Sequence, residues 1–451
     1  MKRRTPQRRW TFGAALLAVA AICASTRPAR ADDADTGKPK TETVAIHGQA
    51  TVVDQGTLPF HAPDAGTNSL TPRIGRETFD ATLYVGFRPW SGAEVWANPE
   101  LDQGFGLDNT LGVAGFPSGE AYKVGKSTPY FRLPRLFLRQ TIDLGGKKQS
   151  VDADLNQLAG SQTANRVVIT LGKFGVTDVF DTNAYAHDPR GDFLNWALVD
   201  TATFDYAADA WGYTYGAAVE WYQGRWTLRA GAFDLSVIPN NSRLDSTLGQ
   251  DQYVVEIEER HTIGGQAGRL MLTGYLTRGR MGTFADAIAL AATTGQPPST
   301  ASVRRYRSRP GVSLDLEQTL ADDLGLFVRA GIADGDFESY EFTDVDATFA
   351  AGLSLSGKRW GRKDDTLGVA GVINGISKIH QEYFADGGLG ILVGDGELPH
   401  PGPEEIIETY YKIALTSRLA LSLDGQLVTN PGYNRDRGPA PIVAARLHAQ
   451  F

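Results

Sequence analysis

Hydrophobic and polar side chains alternate through the last nine residues of the chain. Apolar side chains occupy every second position from Val443 to Phe451, whereas Arg446 and His448 fall on the opposite face. A period of two is that of a β-strand. A half-buried strand of a soluble sheet and a strand between lipid and a wet interior both produce this pattern. The rest of the chain has to decide between them.

The clearest hairpin lies between Tyr213 and Phe233. In Tyr213–Tyr222 the side chains on one face begin and end with aromatic rings, and the turn Gln223-Gly224 leads into a return strand, Arg225–Phe233. About ten residues is the length of a tilted strand that crosses a membrane. Aromatic rings at both ends are what two interfacial girdles require. The pattern therefore favours a strand that faces lipid.

The same period predicts sixteen strands along the chain. They span about residues 44–53, 76–87, 93–97, 131–144, 166–174, 213–222, 225–233, 252–260, 269–278, 311–320, 324–333, 347–356, 366–375, 408–416, 418–429 and 441–451. Short and long connections alternate, as in membrane barrels with short periplasmic turns and long outer loops. If both termini are periplasmic, the strand total must be even, and this requires Gly175–Gly212 to be a single outer loop.

Three segments fit this scheme less well. Thr201–Tyr206 has the composition of a strand, which would break the even count. Asn98–Tyr130 is rich in glycine and contains no convincing strand. Gly145–Asn165 is a long polar connection on the side where turns should be short, and the sequence pattern offers no explanation for it.

Charged side chains recur on the predicted inward faces, for example Glu256 and Glu258 and then Asp315 and Glu317. Such rows would be very costly in a packed sandwich core, but they are expected beside a water-filled lumen. The fold class that we predict is all-β: a transmembrane antiparallel barrel of 16 strands, with the long third outer loop folded into the lumen.

The amino terminus has the three parts of a secretory signal peptide. A basic segment precedes an apolar run, Phe12–Ala24, and the small-residue site Ala29-Arg30-Ala31 follows. We therefore expect a signal peptide at residues 1–31 that is cleaved on export, and one barrel domain at residues 32–451. The chain contains a single cysteine, Cys23, inside this signal, so disulfides do not hold the mature protein.

Composition narrows the classes further. Removing residues 1–31 leaves 37 basic against 52 acidic residues, a formal net charge of −15, so nucleic acid is not an expected partner. Neither metal-ligand spacings nor a nucleophile elbow occurs, so we expect no metal, no cofactor, no catalytic residues and no enzymatic activity. An outer-membrane hydrolase or adhesin barrel is the alternative from a different class.

The predicted third outer loop carries the most informative chemistry. Residues 174–196 are dense in Asp, Asn and aromatic side chains. A sixteen-stranded barrel leaves an aqueous bore, so selectivity needs an element that narrows it. Carboxylates of the loop opposite inward arginines would form a charged eyelet suited to sugar hydroxyls, with aromatic rings for the sugar faces. The alternative role for Asp178 and Asp181 is packing that merely stabilises the wall.

Several short segments resemble the carbohydrate-selective porins of the OprB family. The matching runs, in chain order, are His47-Gly48-Gln49-Ala50-Thr51, Gly92 to Glu100, Leu136-Phe137-Leu138-Arg139-Gln140-Thr141, Gly172-Lys173-Phe174, Phe180-Asp181-Thr182-Asn183 with Tyr185, Phe193-Leu194-Asn195-Trp196, and Asn430-Pro431-Gly432. No single run is decisive, but their order and spacing are specific and cover nearly the whole mature chain.

The resemblance implies an outer-membrane porin of a Gram-negative bacterium that admits monosaccharides of the glucose type by passive diffusion. It also implies an arginine-lined constriction, to which we assign six residues: Arg135, Arg139, Glu94, Asp178, Asp181 and Asn183. A general or cation-leaning diffusion porin is the alternative, favoured by the charge of −15.

The other expected partners follow from an outer-membrane location. They are outer-membrane lipid, lipopolysaccharide and the barrel-assembly machinery, which would engage the terminal Phe451. Monomers and homotrimers are both compatible with the pattern.

Overall fold

Sixteen antiparallel strands close into one barrel in a computed structural model that describes residues 41–121, 123–342 and 344–451. Each strand pairs with its neighbours in the sequence, and the first strand pairs with the last. The strands are β1 (Val44–Thr57), β2 (Gly75–Phe87), β3 (Ala93–Gly104), β4 (Lys126–Val151), β5 (Gly160–Phe174), β6 (Thr214–Gln223), β7 (Trp226–Asp234), β8 (Asp251–Ile263), β9 (Gln266–Met281), β10 (Arg305–Ala321), β11 (Leu324–Ala333), β12 (Ala347–Gly357), β13 (Arg362–Gly375), β14 (Glu404–Thr416), β15 (Leu419–Thr429) and β16 (Ala440–Gln450). The predicted sixteen-stranded barrel is confirmed.

The seam between β1 and β16 closes the barrel. The register runs from Gln49 opposite Gln450 to Thr57 opposite Ile442. Beyond β16, the Phe451 and Gly48 main chains exchange two hydrogen bonds of 2.9 Å. The Phe451 ring covers Gly48, where an added Cβ would lie 2.3 Å from the ring. Because the sheet closes on itself, it has no edge strand whose main-chain N–H and C=O groups need another partner.

Exposure alternates along the strands as the hydrophobic pattern predicts. On β6, Tyr215, Val219 and Trp221 are 54%, 42% and 47% exposed, whereas Thr214 and Ala218 are buried. Large apolar side chains thus cover the outer surface, as expected for a wall that faces lipid hydrocarbon. The inward face is polar but is not open to water everywhere: Glu256, for example, is fully buried.

Connection lengths alternate between the two ends of the barrel. The longest outer connection spans residues 175–213, and Thr201–Tyr206 within it forms no strand, which keeps the total even. The turns at the other end include residues 224–225, 264–265 and 322–323. The expectation of one long outer loop between β5 and β6 is therefore confirmed.

The hairpin β3–β4 extends further than the pattern predicts. β3 continues to Gly104 and β4 begins at Lys126, so the predicted absence of a strand throughout Asn98–Tyr130 is wrong. The extension was hidden because Pro99 and Gln103 interrupt the apolar pattern of its outward face. Its inward acids, Glu100 and Asp102, pair with Arg132 across the hairpin. Pro134 falls at a register shift, which is where a proline is tolerated in a strand.

In the described residues, the outer connections contain three α-helices: α1 (Trp196–Val199), α2 (Phe284–Thr294) and α3 (Lys378–Ala385). Together with segment 175–213 they contribute to a large apolar cluster that includes Phe193, Trp196, Phe284 and Tyr383. None of the helices in the described parts of the chain has the length and hydropathy needed to cross a membrane. The predicted signal peptide, residues 1–31, lies outside the described residues.

Candidate functional site

A cavity of about 260 Å³ lies between the wall strands and segment 175–213. The wall contributes Gln49, Tyr84 and Arg135, and the connection between β3 and β4 contributes Gly119 and Glu120. The remaining lining residues are Leu155, Asn156, Gly175, Thr177, Asp178, His187, Asp188, Pro189, Arg190, Trp196, Val199, Asp200, Tyr206, Trp211, Gly212 and Tyr213. Two arginines and four carboxylates therefore surround one space, together with several aromatic rings.

Arg135 and Asp178 form a bidentate ion pair in this cavity. Arg135 Nε and Nη2 donate to the two carboxylate oxygens of Asp178 at 2.8 and 2.6 Å. Asp178 also accepts a 2.9 Å hydrogen bond from the Gly175 amide. Burial tends to raise the pKa of the Asp178 carboxyl, but the charge and hydrogen bonds of Arg135 hold this pKa below its ordinary value. The pair is thus fully ionised and fixed in orientation.

An aromatic wall adjoins this ion pair. The Arg135 guanidinium lies 4.9 Å from the centre of the Tyr213 ring, and Arg132 lies 5.2 Å from the same ring. Arg132 also lies 5.7 Å from the ring of Trp211, whose indole N–H donates to Tyr130 at 3.0 Å. Two cations therefore lie within cation–π distance of the rings of Tyr213 and Trp211, which both border the cavity.

The spacing of Arg132 and Arg135 depends on a bulge. Residues three apart in a regular strand point to opposite faces. Here the register with β3 shifts between Asn98 and Glu100, so that Asn98 pairs with Arg135 and Glu100 with Arg132. The extra residue at Leu133–Pro134 returns both arginines to the inner face.

A second charged group of the cavity surrounds Arg190. Its guanidinium is 3.2 Å from Glu120 Oε1, 3.4 Å from Asp80 Oδ1 and 3.8 Å from Asp188 Oδ1. Burial raises the pKa of Asp188, but the neighbouring Arg190 cation outweighs this and leaves the pKa below its ordinary value. Each of the two charged groups in the cavity thus contains both a cation and at least one carboxylate.

Burial raises the pKa of two carboxyls that line the cavity outside the strands, Glu120 and Asp200. The pKa of Asp200 is raised to about 6, although Tyr206 Oη donates a 3.1 Å hydrogen bond to it. Nearby, the His187 side-chain Nδ1 is buried and has no hydrogen-bond partner among the described residues. These groups leave polar atoms that a hydroxylated solute can satisfy.

Asp181 and Asn183 lie away from the cavity. The Asp181 carboxylate accepts hydrogen bonds from the Thr201 amide and hydroxyl at 2.6 and 2.7 Å. Asn183 Nδ2 donates to Asp315 Oδ1 on β10 at 2.7 Å. Both side chains are buried, and their contacts fasten segment 175–213 to itself and to the wall.

Wall side chains from many strands hold the same segment. Glu408 on β14 accepts from the Leu194 and Asn195 amides at 2.6 and 2.9 Å. Arg329 on β11 donates to the Leu198 and Asp181 carbonyls at 2.5 and 3.1 Å. The sequence suggested that these inward charges would face water. In the structure, main-chain groups of segment 175–213 satisfy some of them instead.

Arg139 and Glu94 are opposite each other on β4 and β3, 3.7 Å apart at their charged atoms. Neither lines the cavity. Arg139 Nη1 donates instead to the Asn156 carbonyl at 2.8 Å, and the Trp96 indole donates to Glu94 at 3.1 Å. Of the six residues selected from the sequence, only Arg135 and Asp178 meet inside the cavity.

Sequence reasoning did not select Arg190, Glu120, Asp200, Trp211 or Asn156. Arg190 and Asp188 lie inside the loop that the sequence singled out, and their charge was a usable signal. Glu120 and Asn156 come from connections without any strand pattern, so no periodicity could place them. Among the described residues, no group of three or more His, Cys, Asp or Glu side chains is arranged to hold a metal ion.

Comparison with known families identifies the family of this chain. The family described as "Carbohydrate-selective porin, OprB family" matches residues 71–451, most of the chain. The chain belongs to the OprB family. Its outer-membrane porin fold follows from this membership and from the closed barrel.

Among solved structures, Pseudomonas putida OprB shares the fold of this barrel. Pseudomonas putida OprB superposes with a TM-score of 0.69 at 15% identity, over 91% of this chain and 94% of that one. DcaP, an outer-membrane channel of Acinetobacter baumannii, gives a TM-score of 0.47 at 11% identity, over 90% and 97% of the two chains. A mutant of the Rh. blastica porin gives 0.43 at 8% identity, over 90% and 100%. A comparison with curated protein sequences gave no match.

Proposed function

We propose that this OprB-family chain is a passive channel for monosaccharides and that the Arg135–Asp178 cavity is its selective constriction. The observation that carries the proposal is the combination of this ion pair with the rings of Tyr213 and Trp211 around one space. Guanidinium and carboxylate groups form bidentate bonds with neighbouring hydroxyls. Aromatic faces accommodate the C–H faces of a sugar ring.

The size of the cavity supports a small solute. A volume of about 260 Å³ lies just below the range of about 300–1,000 Å³ that is usual for small-molecule pockets. A single sugar ring therefore matches this space better than an oligosaccharide. Passage needs no energy source, so the site must bind weakly enough to release the solute.

In this proposal segment 175–213 narrows the bore. Its main chain is hydrogen-bonded to Glu256 of β8, Arg329 of β11 and Glu408 of β14. A segment fastened to strands this far apart around a closed ring lies across the interior. The wall then supplies counter-charges, and the segment supplies Asp178, Asp188 and Asp200 to the solute path.

The expected maturation of the chain is part of this proposal. We propose that residues 1–31 are removed on export and that residues 32–451 form one barrel domain. The Phe451 ring, seated on Gly48 at the seam, is the end that the assembly machinery would engage.

A cation-leaning porin is the second candidate, and the lining of the cavity supports it. Glu120, Asp178, Asp188 and Asp200 outnumber Arg135 and Arg190. Cation preference and sugar passage are compatible in one channel. Reversal potentials in a salt gradient measure the first, and block by uncharged sugars measures the second.

The test is conductance of the purified protein in planar bilayers during titration with glucose. We expect a saturable fall in current as glucose occupies the cavity, and a smaller fall with an oligosaccharide at equal mass concentration. A current that responds to neither glucose nor other monosaccharides, beyond the change in solution conductivity, would refute the sugar site. Cation selectivity without block would leave the second candidate.

A further inference from the structure

The long β4–β5 hairpin bends where two glycines follow each other. Gly145 and Gly146 have φ angles of +100° and +90°, a region that favours glycine. The register shifts on both sides of Gly145. The ladder then continues from Lys148 opposite Thr163 to Val151 opposite Gly160. The polar connection that the sequence left unexplained is therefore a second, bent section of hairpin with its tip at residues 152–159.

Side chains of the wall hold this tip. Arg139 Nη1 donates to the Asn156 carbonyl at 2.8 Å, and Arg88 Nη2 donates to the Ala159 carbonyl at 3.2 Å. Glu42 completes the contact, since its carboxylate accepts from the Ala159 amide at 2.9 Å. Leu158 is buried in the same apolar cluster as Trp96 and Phe137. The tip is thus seated against the inner wall.

Two tip residues, Leu155 and Asn156, line the same cavity as Arg135 and Asp178. The Asn156 Oδ1 atom is buried and accepts no hydrogen bond from any described part of the chain. A buried carbonyl oxygen without a donor is costly unless a ligand or solvent satisfies it. Asn156 has a φ of +53°, which fits its place in a tight turn where asparagine is tolerated.

We infer that the hairpin tip is the turn-side wall of the sugar site and that Asn156 is a specificity-determining residue in it. Its side-chain carbonyl accepts a hydrogen bond from a sugar hydroxyl on the face opposite Asp178. This inference rests on the proposed sugar channel. Arg139 is a positioning residue, because it acts on the solute through the Asn156 main chain, and Glu94 in turn lies 3.7 Å from Arg139.

Glucose block of the wild-type channel and of Asn156→Gly tests the role of the amide. Glycine keeps the positive φ but removes the acceptor, so we expect the half-blocking glucose concentration to rise about 3- to 10-fold. Asn156→Asp keeps an acceptor and should retain block. Lys148→Gln, on the exposed part of the hairpin, is the control and should leave block unchanged. Equal half-blocking concentrations in wild type and Asn156→Gly would overturn the inference.

A chemical probe tests the position of the tip separately. The only cysteine in the sequence is Cys23, in the predicted signal, so an introduced cysteine is a unique label in the mature protein. We expect a charged thiol reagent to reduce the current of Leu155→Cys, glucose to slow that reaction, and Lys148→Cys to show neither effect. Adding Arg139→Ala to Leu155→Cys should abolish the protection by glucose, while Arg139→Lys should preserve part of it.

The outcomes distinguish the two proposals. If glucose blocks the wild-type channel but labelling of Leu155→Cys leaves the current unchanged, the tip does not border the path and this inference fails alone. If Arg139→Ala leaves protection intact, Arg139 does not position the tip. If glucose fails to block the wild-type channel, the proposed function itself fails.

Discussion

Replacing Arg135 by alanine removes one cation from the proposed constriction. Arg135 Nε and Nη2 are engaged by Asp178, whereas Nη1 has only a 3.5 Å contact with Tyr213 Oη, at the limit of hydrogen bonding. Nη1 is therefore the donor that is available to a sugar hydroxyl. One hydrogen bond to a charged group contributes about 1.5 kcal/mol at the low end, so we expect glucose block to weaken about tenfold.

The same substitution changes the ionic current. Two arginines and four carboxylates line the cavity, and Arg135→Ala leaves a single arginine among them. Because a guanidinium is also removed from a narrow space, single-channel conductance should rise. Reversal potentials in a KCl gradient should shift toward greater cation selectivity. Arg135→Lys separates the two contributions, since lysine keeps the charge but lacks the planar fork.

Arg225→Ala is the matched control because Arg225 is 65% exposed at a turn and pairs with Glu259 outside the cavity. It loses the same charge and should change neither conductance nor block. Unchanged conductance, selectivity and glucose block in Arg135→Ala, with the protein folded as judged by its heat-dependent electrophoretic mobility, would refute the assignment of the constriction.

Two further predictions concern other groups in the interior. Since burial raises the pKa of Asp200 to about 6, this carboxyl is ionised at pH 7.5 and largely protonated at about pH 5. Cation selectivity should therefore fall as the pH is lowered through 6. Asp200→Asn should flatten that part of the plot of selectivity against pH. An equally steep profile in Asp200→Asn would assign the titration to another group. Arg329→Met should destabilise the barrel by about 3–5 kcal/mol, because the fully buried guanidinium pairs with Asp315 at 3.0 Å and its loss leaves that charge uncompensated. The measurement is the midpoint of urea unfolding, followed by tryptophan fluorescence. As a control, the double variant Arg329→Met with Asp315→Leu should recover much of the lost stability. A midpoint of Arg329→Met equal to that of the wild type would contradict the anchoring role.

The wall of the barrel was predictable because its physics is local. Each lipid-facing strand must alternate with a period of two, and strands such as β6 and β16 show this within about ten residues. The alternation fails where the outward positions of a strand are not apolar. Pro99 and Gln103 on β3 conceal a strand in this way, although Glu100 and Asp102 on its inner face pair with Arg132 across the hairpin.

The site was less predictable because it is built from segments that lack periodicity. Arg135 could be placed from the phase of β4 and Asp178 from its position just after β5, and the structure brings these two together. Asp181 and Asn183 lie in the same polar loop, but their side chains form hydrogen bonds with Thr201 and Asp315. No feature of a single sequence reports which carboxylate of a loop faces the solute and which one fastens the loop.

Some inward carboxylates hold the loop in place, and others lie beside the cavity. This difference explains why an acidic interior does not by itself define the selectivity of the channel. Glu256 and Glu408 on the wall accept hydrogen bonds from the main-chain amides of Asp181 and Leu194, so their charge is directed at the loop. A carboxylate that is buried against main-chain donors stabilises one arrangement of the loop, whereas one beside the cavity acts on the solute. Substituting a fastening residue should therefore change stability first and transport only through disorder of the loop. For Arg135, whose Nη1 has only the 3.5 Å contact with Tyr213 beside the proposed solute path, we expect the reverse order. Measuring unfolding and block on the same variants tells the two classes apart.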